Sequence, residues 1–216
     1  MQSKYKLFLV LGFLFFCIFY SIYGFTSYIT SLHAYRWKIH FAFELHIPFL
    51  PTFSLVYLSM FAMFLFAPMI LPSEREIFAF FLVLCLATAI AGLFFLAFPV
   101  VSGFPKRKPY GWAKHFFFLA DTMNLNYNML PSLHVTFAYT TAAVYAQYVN
   151  LYQNCFFCIW ATLVAISTLL IHEHHLLDIF TACILSTFLV KISYARYNQQ
   201  KFFDTWKKRF RSLDNS

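Results

Sequence analysis

Residues 77–101 read IFAFFLVLCLATAIAGLFFLAFPVV and contain no charged side chain. A helix needs about 20 apolar residues to cross the roughly 30 Å hydrocarbon core of a bilayer, so this stretch is long enough. The whole chain has the same character, because 61% of its 216 residues are hydrophobic and 11% are charged. A soluble domain has about 45–50% apolar and about 25% charged residues. The composition therefore predicts an integral membrane protein, and it argues against a soluble enzyme, a nucleic-acid-binding protein and a disordered chain.

Five further apolar stretches surround this one. The six predicted transmembrane helices cover residues 7–32, 49–71, 77–101, 131–149, 155–171 and 174–194. The last three are shorter or carry polar side chains. Two loop segments, 34–46 and 112–122, mix aromatic with charged residues, as short interfacial helices do. The fold class predicted is an all-α polytopic membrane protein with a six-helix membrane domain at 1–194 and a basic cytoplasmic tail at 195–216.

The basic residues predict the orientation of these helices. Six spans place both termini on one side of the membrane, and ten of the sixteen Lys and Arg residues lie on that side. Cytoplasmic loops carry an excess of Lys and Arg, so we expect cytoplasmic termini in a plasma (inner) membrane. The other six basic residues fall on the outer side: Arg36, Lys38, Lys106, Arg107, Lys108 and Lys114. The three consecutive ones either bind an anion or are simply tolerated in a loop.

Histidines and acidic residues at the edges of the predicted helices are the candidates for chemistry. Residues 171–178 read IHEHHLLD, and His134 lies near the start of the fourth predicted helix. Ionisable groups at membrane depth are costly and are functional candidates for that reason. His174 and Asp178 are four residues apart, so on a helix they share a face. A carboxylate there orients one imidazole nitrogen and frees the other as a nucleophile or base, unless the two simply form a satisfied polar pair.

The start of the fourth predicted helix offers an anion site. Residues 127–134 read YNMLPSLH, and a proline suits the first helical turn. The first N–H groups of the helix and its dipole attract anions, and Ser132 adds a hydroxyl donor. His134, His174 and the basic cluster all fall on the outer side. They predict a phosphate site around the loop 102–134, in which one histidine attacks phosphorus and the other protonates the leaving oxygen.

Two motifs resemble a known family. PSLH at residues 131–134 and ST-x5-H-x3-D at residues 167–178 resemble the type 2 phosphatidic acid phosphatase (PAP2) superfamily, whose pattern is K-x6-R-P, P-S-G-H and S-R-x5-H-x3-D. The resemblance implies a PAP2-like helical bundle that works without a metal or another cofactor. It also implies that His174 is the nucleophile forming a phosphohistidine, that His134 is the general acid, and that Asp178 orients His174.

The chain departs from the PAP2 pattern at several positions. Leu133 and Thr168 stand where the pattern has glycine and arginine, and no lysine lies seven residues before Arg107 or Lys108. PSLH and ST are similar to a branch that includes inositol phosphorylceramide synthases, sphingomyelin-synthase-like transferases and bacterial lipid phosphatases. We expect Lys106, Arg107, Lys108 and Ser132 to bind the substrate. Arg107 is best suited to bidentate binding of phosphate.

These observations predict a lipid phosphatase that acts on a lipid phosphate or diphosphate monoester at the outer face of the membrane. Two alternatives stay open: a phosphotransferase that uses a hydroxyl acceptor, and a non-catalytic lipid-binding protein. A zinc site formed by His172, Glu173 and His175 is a further alternative for the histidine run. The sequence identifies neither the lipid nor the oligomeric state.

Overall fold

The computed structural model describes residues 2–125 and 127–194. The predicted tail 195–216 lies outside the described residues. In this part of the chain, helix is the main regular structure, and Trp37 and Val100 form an isolated parallel bridge. The α-helices are α1 (Gln2–Ser31), α2 (Ser54–Leu58), α3 (Met60–Leu65), α4 (Ala67–Ile70), α5 (Glu74–Ala97), α6 (Lys114–Met123), α7 (Leu133–Tyr145), α8 (Leu151–Leu170) and α9 (Leu176–Phe188).

Four helical segments are long and apolar enough to cross a membrane. They are Ser3–Ser31, Pro51–Ile70, Glu74–Ala97 and Leu151–Leu170, and they confirm the apolar segments predicted first, second, third and fifth. The predicted bounds 131–149 and 174–194 were too wide as α-helices, because α7 and α9 have 13 residues each. That is shorter than the about 20 residues a perpendicular helix needs. Helix α9 continues as a π-helix, Leu189–Tyr194, and the six-helix membrane bundle stays a prediction.

The second segment is broken into α2, α3 and α4. Pro68 lies in the first turn of α4, where its missing N–H removes one hydrogen bond from a continuous helix. At the break between α2 and α3, the Ser59 hydroxyl accepts a hydrogen bond from Trp160 Nε1 at 2.8 Å. These breaks let the segment follow its neighbours, and Tyr57 on α2 lies inside the bundle with none of its surface exposed.

The contacts between chain segments define two ends of the bundle. At one end, Lys4 Nζ donates to the carbonyl of Leu71 at 3.2 Å. At the other end, the N–H of Leu50 donates to the carbonyl of Leu170 at 2.8 Å. The starts of α7 and α9 also meet at this second end, where the N–H of Ser132 donates to the carbonyl of Asp178 at 3.2 Å. The chain therefore alternates in direction, and the candidate site residues gather at one end.

Aromatic side chains fill the interior between α1, α3, α5 and α7. The Phe15 ring lies 6.1 Å from Phe64 and 5.5 Å from Phe137, with both pairs edge to face. Edge-to-face pairs of this kind contribute about 0.5–1.5 kcal/mol beyond their buried area. Gly92 on α5 permits the close approach of α1, because a Cβ atom there would lie only 2.8 Å from Ile22 Cγ2.

One of the two segments predicted as short interfacial helices is helical, and its place at the membrane interface stays a prediction. Helix α6 confirms the helix predicted at 112–122, with Phe117 buried and Phe118 exposed. The prediction for 34–46 was wrong, because only a 3-10 turn forms there, at Ala42–His46. Trp37 instead pairs its backbone with the chain after α5, donating to the carbonyl of Pro99 at 2.8 Å and accepting from the N–H of Val101 at 3.0 Å. These bonds hold the segment extended.

Replacing Gly92 by leucine tests the packing of α1 on α5. The added side chain has no space beside Ile22, and we expect a loss of about 1–3 kcal/mol of stability from overpacking. Thermal unfolding in detergent measures the change. Gly24→Leu is the matched control on α1, because no atom lies within 4 Å of a Cβ at Gly24. Equal melting temperatures for the two variants would contradict this account.

Candidate active site

His174 lies in the turn that joins α8 to α9. The prediction that His174 and Asp178 share a helix face was wrong locally, because α9 begins only at Leu176. The pair forms nevertheless, with His174 Nδ1 3.3 Å from Asp178 Oδ2. Both residues are buried. The predicted contact is therefore present, but it forms across the start of α9, where the backbone of His175 is extended.

The turn itself is held by the end of α8. The N–H groups of Glu173 and His174 both donate to the carbonyl oxygen of Thr168, at 2.9 and 3.2 Å. His172 adopts a left-handed backbone with φ of 63°, which few residues other than glycine adopt. The Thr168 hydroxyl donates to the carbonyl of Ala165 at 2.7 Å. Thr168 therefore shapes the turn through its backbone.

Asp178 is fixed by a second hydrogen bond. Its Oδ2 atom also accepts the N–H of His175 at 2.9 Å, which caps the start of α9. This anchored carboxylate holds the imidazole of His174 by Nδ1. The Nε2 atom makes no hydrogen bond to any residue in the described ranges. An imidazole held in this way presents Nε2 as a nucleophile or base.

His134 is the second residue of α7, and Tyr57 contacts it in two ways. The Tyr57 hydroxyl lies 2.8 Å from His134 Nδ1, and the two rings stack with their centroids 3.9 Å apart. The Nε2 atom of His134 is buried and has no hydrogen-bond partner among residues 2–125 and 127–194. A hydroxyl both donates and accepts, so this contact suits the neutral and the charged imidazole.

His134 and His174 line the same cavity. Its remaining walls are apolar or aromatic and come from Phe15, Phe16, Phe19, Tyr23, Met60, Phe61, Leu133 and Phe137. The cavity has room for about one water molecule. A phosphate group that enters it must therefore displace some of the lining side chains. The two imidazoles share a water-poor pocket in which polar interactions are strong.

The N-terminus of α7, where Leu133 and His134 line this pocket, has N–H groups without an acceptor among the described residues. Ser132 caps the helix, accepting the N–H of Val135 at 3.4 Å. In the part of the chain that the structure describes, no group accepts the N–H of Leu133 or His134. Free N–H groups at a helix N-terminus attract anions. The predicted role of Ser132 beside an anion site is compatible with this geometry.

The three loop cations lie outside the cavity. Lys106, Arg107 and Lys108 are exposed, and none of them lines the pocket of His134 and His174. Phe104, two residues before Lys106, is buried against His172 with ring centroids 4.1 Å apart. The three cations therefore begin two residues after Phe104, which packs against the turn between α8 and α9. Their role in substrate binding stays a prediction.

The other two histidines of the run have different partners. His172 Nε2 lies 2.9 Å from the carbonyl oxygen of Ile47, and both ring nitrogens of His175 are occupied by Glu44 and Gly103. The Glu173 carboxylate accepts a hydrogen bond from Asn124. The three side chains of the alternative zinc site therefore bind separate partners, and no group of three possible metal ligands forms among the described residues. Of the three histidines in residues 172–175, His174 is the one that lines the cavity.

Sequence reasoning missed Glu44 and Tyr57. Glu44 is fully buried, and its Oε2 atom lies 3.0 Å from His175 Nδ1. One signal was present, because Glu44 is the first acidic residue of the chain and stands among aromatic residues. Tyr57 lies within an apolar stretch 77 positions before His134. No local pattern distinguishes it from the neighbouring core residues.

A buried polar chain forms another boundary of the site. The Tyr23 hydroxyl donates to Asn124 Oδ1 at 2.9 Å, and the Asn124 amide donates to Glu173. Burial raises the pKa of Glu173 to about 7, although the hydrogen bond from Asn124 opposes the rise. Because Tyr23 lines the cavity, this chain connects the pocket to a carboxyl group that titrates near neutral pH.

Comparisons of the chain with family models, with curated proteins and with solved structures found no match.

The raised pKa of Glu173 predicts a stability that depends on pH. Between its ordinary value of 4.5 and about 7, the folded chain holds this proton while the unfolded chain releases it. Stability therefore falls as the pH rises through this window and levels off above it. We expect Glu173→Gln to remove this fall, measured as the melting temperature in detergent from pH 5 to 8. Glu76→Gln, at the opposite end of the bundle, is the control, and parallel curves for Glu173→Gln and the unaltered chain would contradict the prediction.

Proposed function

We propose that this chain is a membrane lipid phosphatase that hydrolyses a lipid phosphate or diphosphate monoester through a phosphohistidine at His174. One observation carries the proposal: His134 and His174 face a single cavity, and His174 is held there by the buried Asp178. Two-step transfer needs a nucleophile with an orienting group and a separate acid, and these residues fit those roles.

The proposed reaction has two balanced steps. His174 Nε2 attacks phosphorus, the bond from phosphorus to the lipid oxygen breaks, and His134 gives its proton to the leaving oxygen. A water molecule then attacks phosphorus and loses a proton to His134, while the bond from phosphorus to Nε2 breaks. Asp178 stabilises the positive charge that develops on the His174 ring. The free N–H groups of α7 and the Ser132 hydroxyl would stabilise the phosphoryl oxygens.

The surroundings of the site favour a lipid as substrate. The cavity walls are mostly aromatic, and the turn that carries His174 follows α8, a helix long and apolar enough to cross a membrane. A lipid phosphate places an anion next to an apolar body. In the proposed orientation the site faces the outer side, the termini are cytoplasmic, and Lys106, Arg107 and Lys108 meet the headgroup.

One observation favours the second candidate, a lipid phosphotransferase. The pocket has room for about one water molecule, and a site that excludes bulk water protects a phosphohistidine until a hydroxyl acceptor arrives. Leu133 and Thr168, which resemble a branch that includes both transferases and bacterial lipid phosphatases, are compatible with either candidate. In a transferase the second step is the same, except that the acceptor hydroxyl replaces water.

Phosphate release by the purified, detergent-solubilised chain tests the proposal. The substrates are a panel of lipid phosphates and diphosphates, with a chelator present throughout. We expect release that His174→Ala abolishes and that His46→Ala, at an exposed histidine, leaves unchanged. Release that appears only when a hydroxyl acceptor is added would favour the transferase. Release that persists in His174→Ala would contradict the proposed nucleophile, and no turnover under any condition would favour a lipid-binding protein.

The paired histidines predict a bell-shaped dependence of the rate on pH. His174 must be neutral to attack, whereas His134 must be protonated to serve as the acid, so the rate falls at both extremes. Measuring kcat/KM from pH 5 to 9 with one active substrate gives the profile. Replacing His134 by alanine should remove the alkaline limb. A profile that changes in one direction only would contradict this pair of roles.

A further inference from the structure

The buried carboxylate of Glu44 joins two connecting segments, its own segment after α1 and the start of α9. Its Oε1 atom accepts the N–H of Phe41 at 2.8 Å, and its Oε2 atom accepts the N–H of Leu176 at 2.9 Å. Oε2 also lies 3.0 Å from Nδ1 of His175. Burial alone would raise the pKa of Glu44, but these three partners lower it below its ordinary value. A buried carboxylate with this many donors is a built feature, since an unpaired one would be strongly destabilising.

The partners of His175 fix the position of its ring proton. The N–H of Gly103 donates to His175 Nε2 at 3.0 Å. Only an unprotonated ring nitrogen accepts a hydrogen bond, so the proton lies on Nδ1 and is donated to Glu44. Glu44, His175 and Gly103 therefore form one continuous chain of hydrogen bonds. It joins the segment after α1 to the start of α9 and to the loop after α5.

Aromatic stacking holds the same loop from the side. The Phe104 ring lies between His172 and His175, with ring centroids 4.1 and 4.3 Å away and planes within 6° and 9° of parallel. His40 stacks on the same His175 ring at 4.9 Å. Gly103 leaves no space for a side chain, because a Cβ atom there would overlap the His40 ring. We call Glu44, His175, Gly103 and Phe104 the Glu44 clasp.

The Glu44 clasp ends just before Lys106, Arg107 and Lys108. These three side chains are exposed and make no hydrogen bond or ion pair with any residue in 2–125 and 127–194. Their position is therefore set by the backbone that the clasp holds, and not by contacts of their own. Binding an anion costs entropy in ordering both the loop backbone and the long side chains, and a backbone that is already fixed removes the first of these costs.

We propose that Glu44 and His175 are positioning residues that hold the Lys106–Lys108 loop in place to bind the phosphate of the substrate. The inference rests on the proposed function and extends it to a second pair of histidine and carboxylate beside the first. His174 and Asp178 present the nucleophile, whereas His175 and Glu44 place the cations. Both ring nitrogens of His175 are occupied, so it takes no part in phosphoryl transfer. Disturbing the clasp should therefore weaken phosphate binding and leave the chemical step intact.

Binding of inorganic phosphate to the detergent-solubilised full chain, measured by calorimetry, tests the clasp without turnover. Glu44→Gln keeps the size of the side chain but puts an amide N–H2 group among N–H donors. We expect this change to raise the Kd for phosphate about tenfold. Glu76→Gln at the opposite end of the bundle should leave the Kd unchanged. Phe104→Leu, which removes the ring stack but stays apolar, is the second clasp variant and should also raise the Kd.

A variant with Lys106, Arg107 and Lys108 all replaced by alanine separates positioning from a general structural effect. If the clasp acts through these cations, Glu44→Gln adds no further rise in Kd to that variant. With a turned-over lipid phosphate, Glu44→Gln should raise KM and leave kcat within about twofold. Additive rises in Kd, or a lower kcat at unchanged KM, would overturn the inference.

The two proposals fail in different ways. If the unaltered chain releases no phosphate from any lipid, the proposed function fails. The role of the clasp is then still tested by the Kd of its variants for inorganic phosphate. If the unaltered chain releases phosphate but Glu44→Gln and Phe104→Leu bind phosphate normally, the clasp fails alone. A chain that neither binds nor releases phosphate overturns both. Melting temperatures of the variants confirm that each one is folded.

Discussion

Two buried carboxylates close the N-terminus of α9, and the arrangement of the candidate site depends on them. Asp178 accepts the N–H of His175 and Glu44 accepts the N–H of Leu176, each at 2.9 Å. The same two carboxylates hold the imidazoles of His174 and His175. In a mostly apolar chain these free N–H groups need partners, since an unsatisfied buried group costs about 1–3 kcal/mol. One capping requirement therefore orients two adjacent histidines in different directions.

The two helices that begin at this end of the bundle are consequently unlike. The N-terminus of α9 is filled by carboxylates, whereas Leu133 and His134 at the start of α7 keep N–H groups that no described residue accepts. The carboxylates at the N-terminus of α9 repel an anion, whereas the N-terminus of α7 attracts one. This difference favours binding of phosphate near the start of α7, beside His134. It also explains how one helix start supplies the nucleophile while the other receives the phosphoryl oxygens in the proposed reaction.

Much of the fold follows from hydrophobic length, but the connections between helices do not. Four predicted apolar segments are present as helical segments long and apolar enough to cross a membrane, because length and composition decide such segments. The bounds of α7 and α9 were missed, since capping at Ser132 and His175 starts both helices two residues late and both α-helices also end before the predicted bounds. The pairing of His174 with Asp178 was predicted from spacing, but the backbone that makes it was not. Glu44 was missed because it acts on a residue 131 positions away, and spacing carries no information at that range.

The central claim is that His174 is the nucleophile that forms a phosphohistidine. Trapping this covalent intermediate tests the claim most directly. The unaltered chain forms this intermediate in the first step and keeps His134 as the acid, so a rapid alkaline quench before steady state, after adding a ³²P-labelled lipid phosphate or diphosphate, should retain labelled enzyme. Peptide mass spectrometry then locates the label. The account predicts phosphate on Nε2 of His174, because Asp178 holds Nδ1, and loss of the label in acid. Label on another residue, or turnover without any labelled protein, would contradict it.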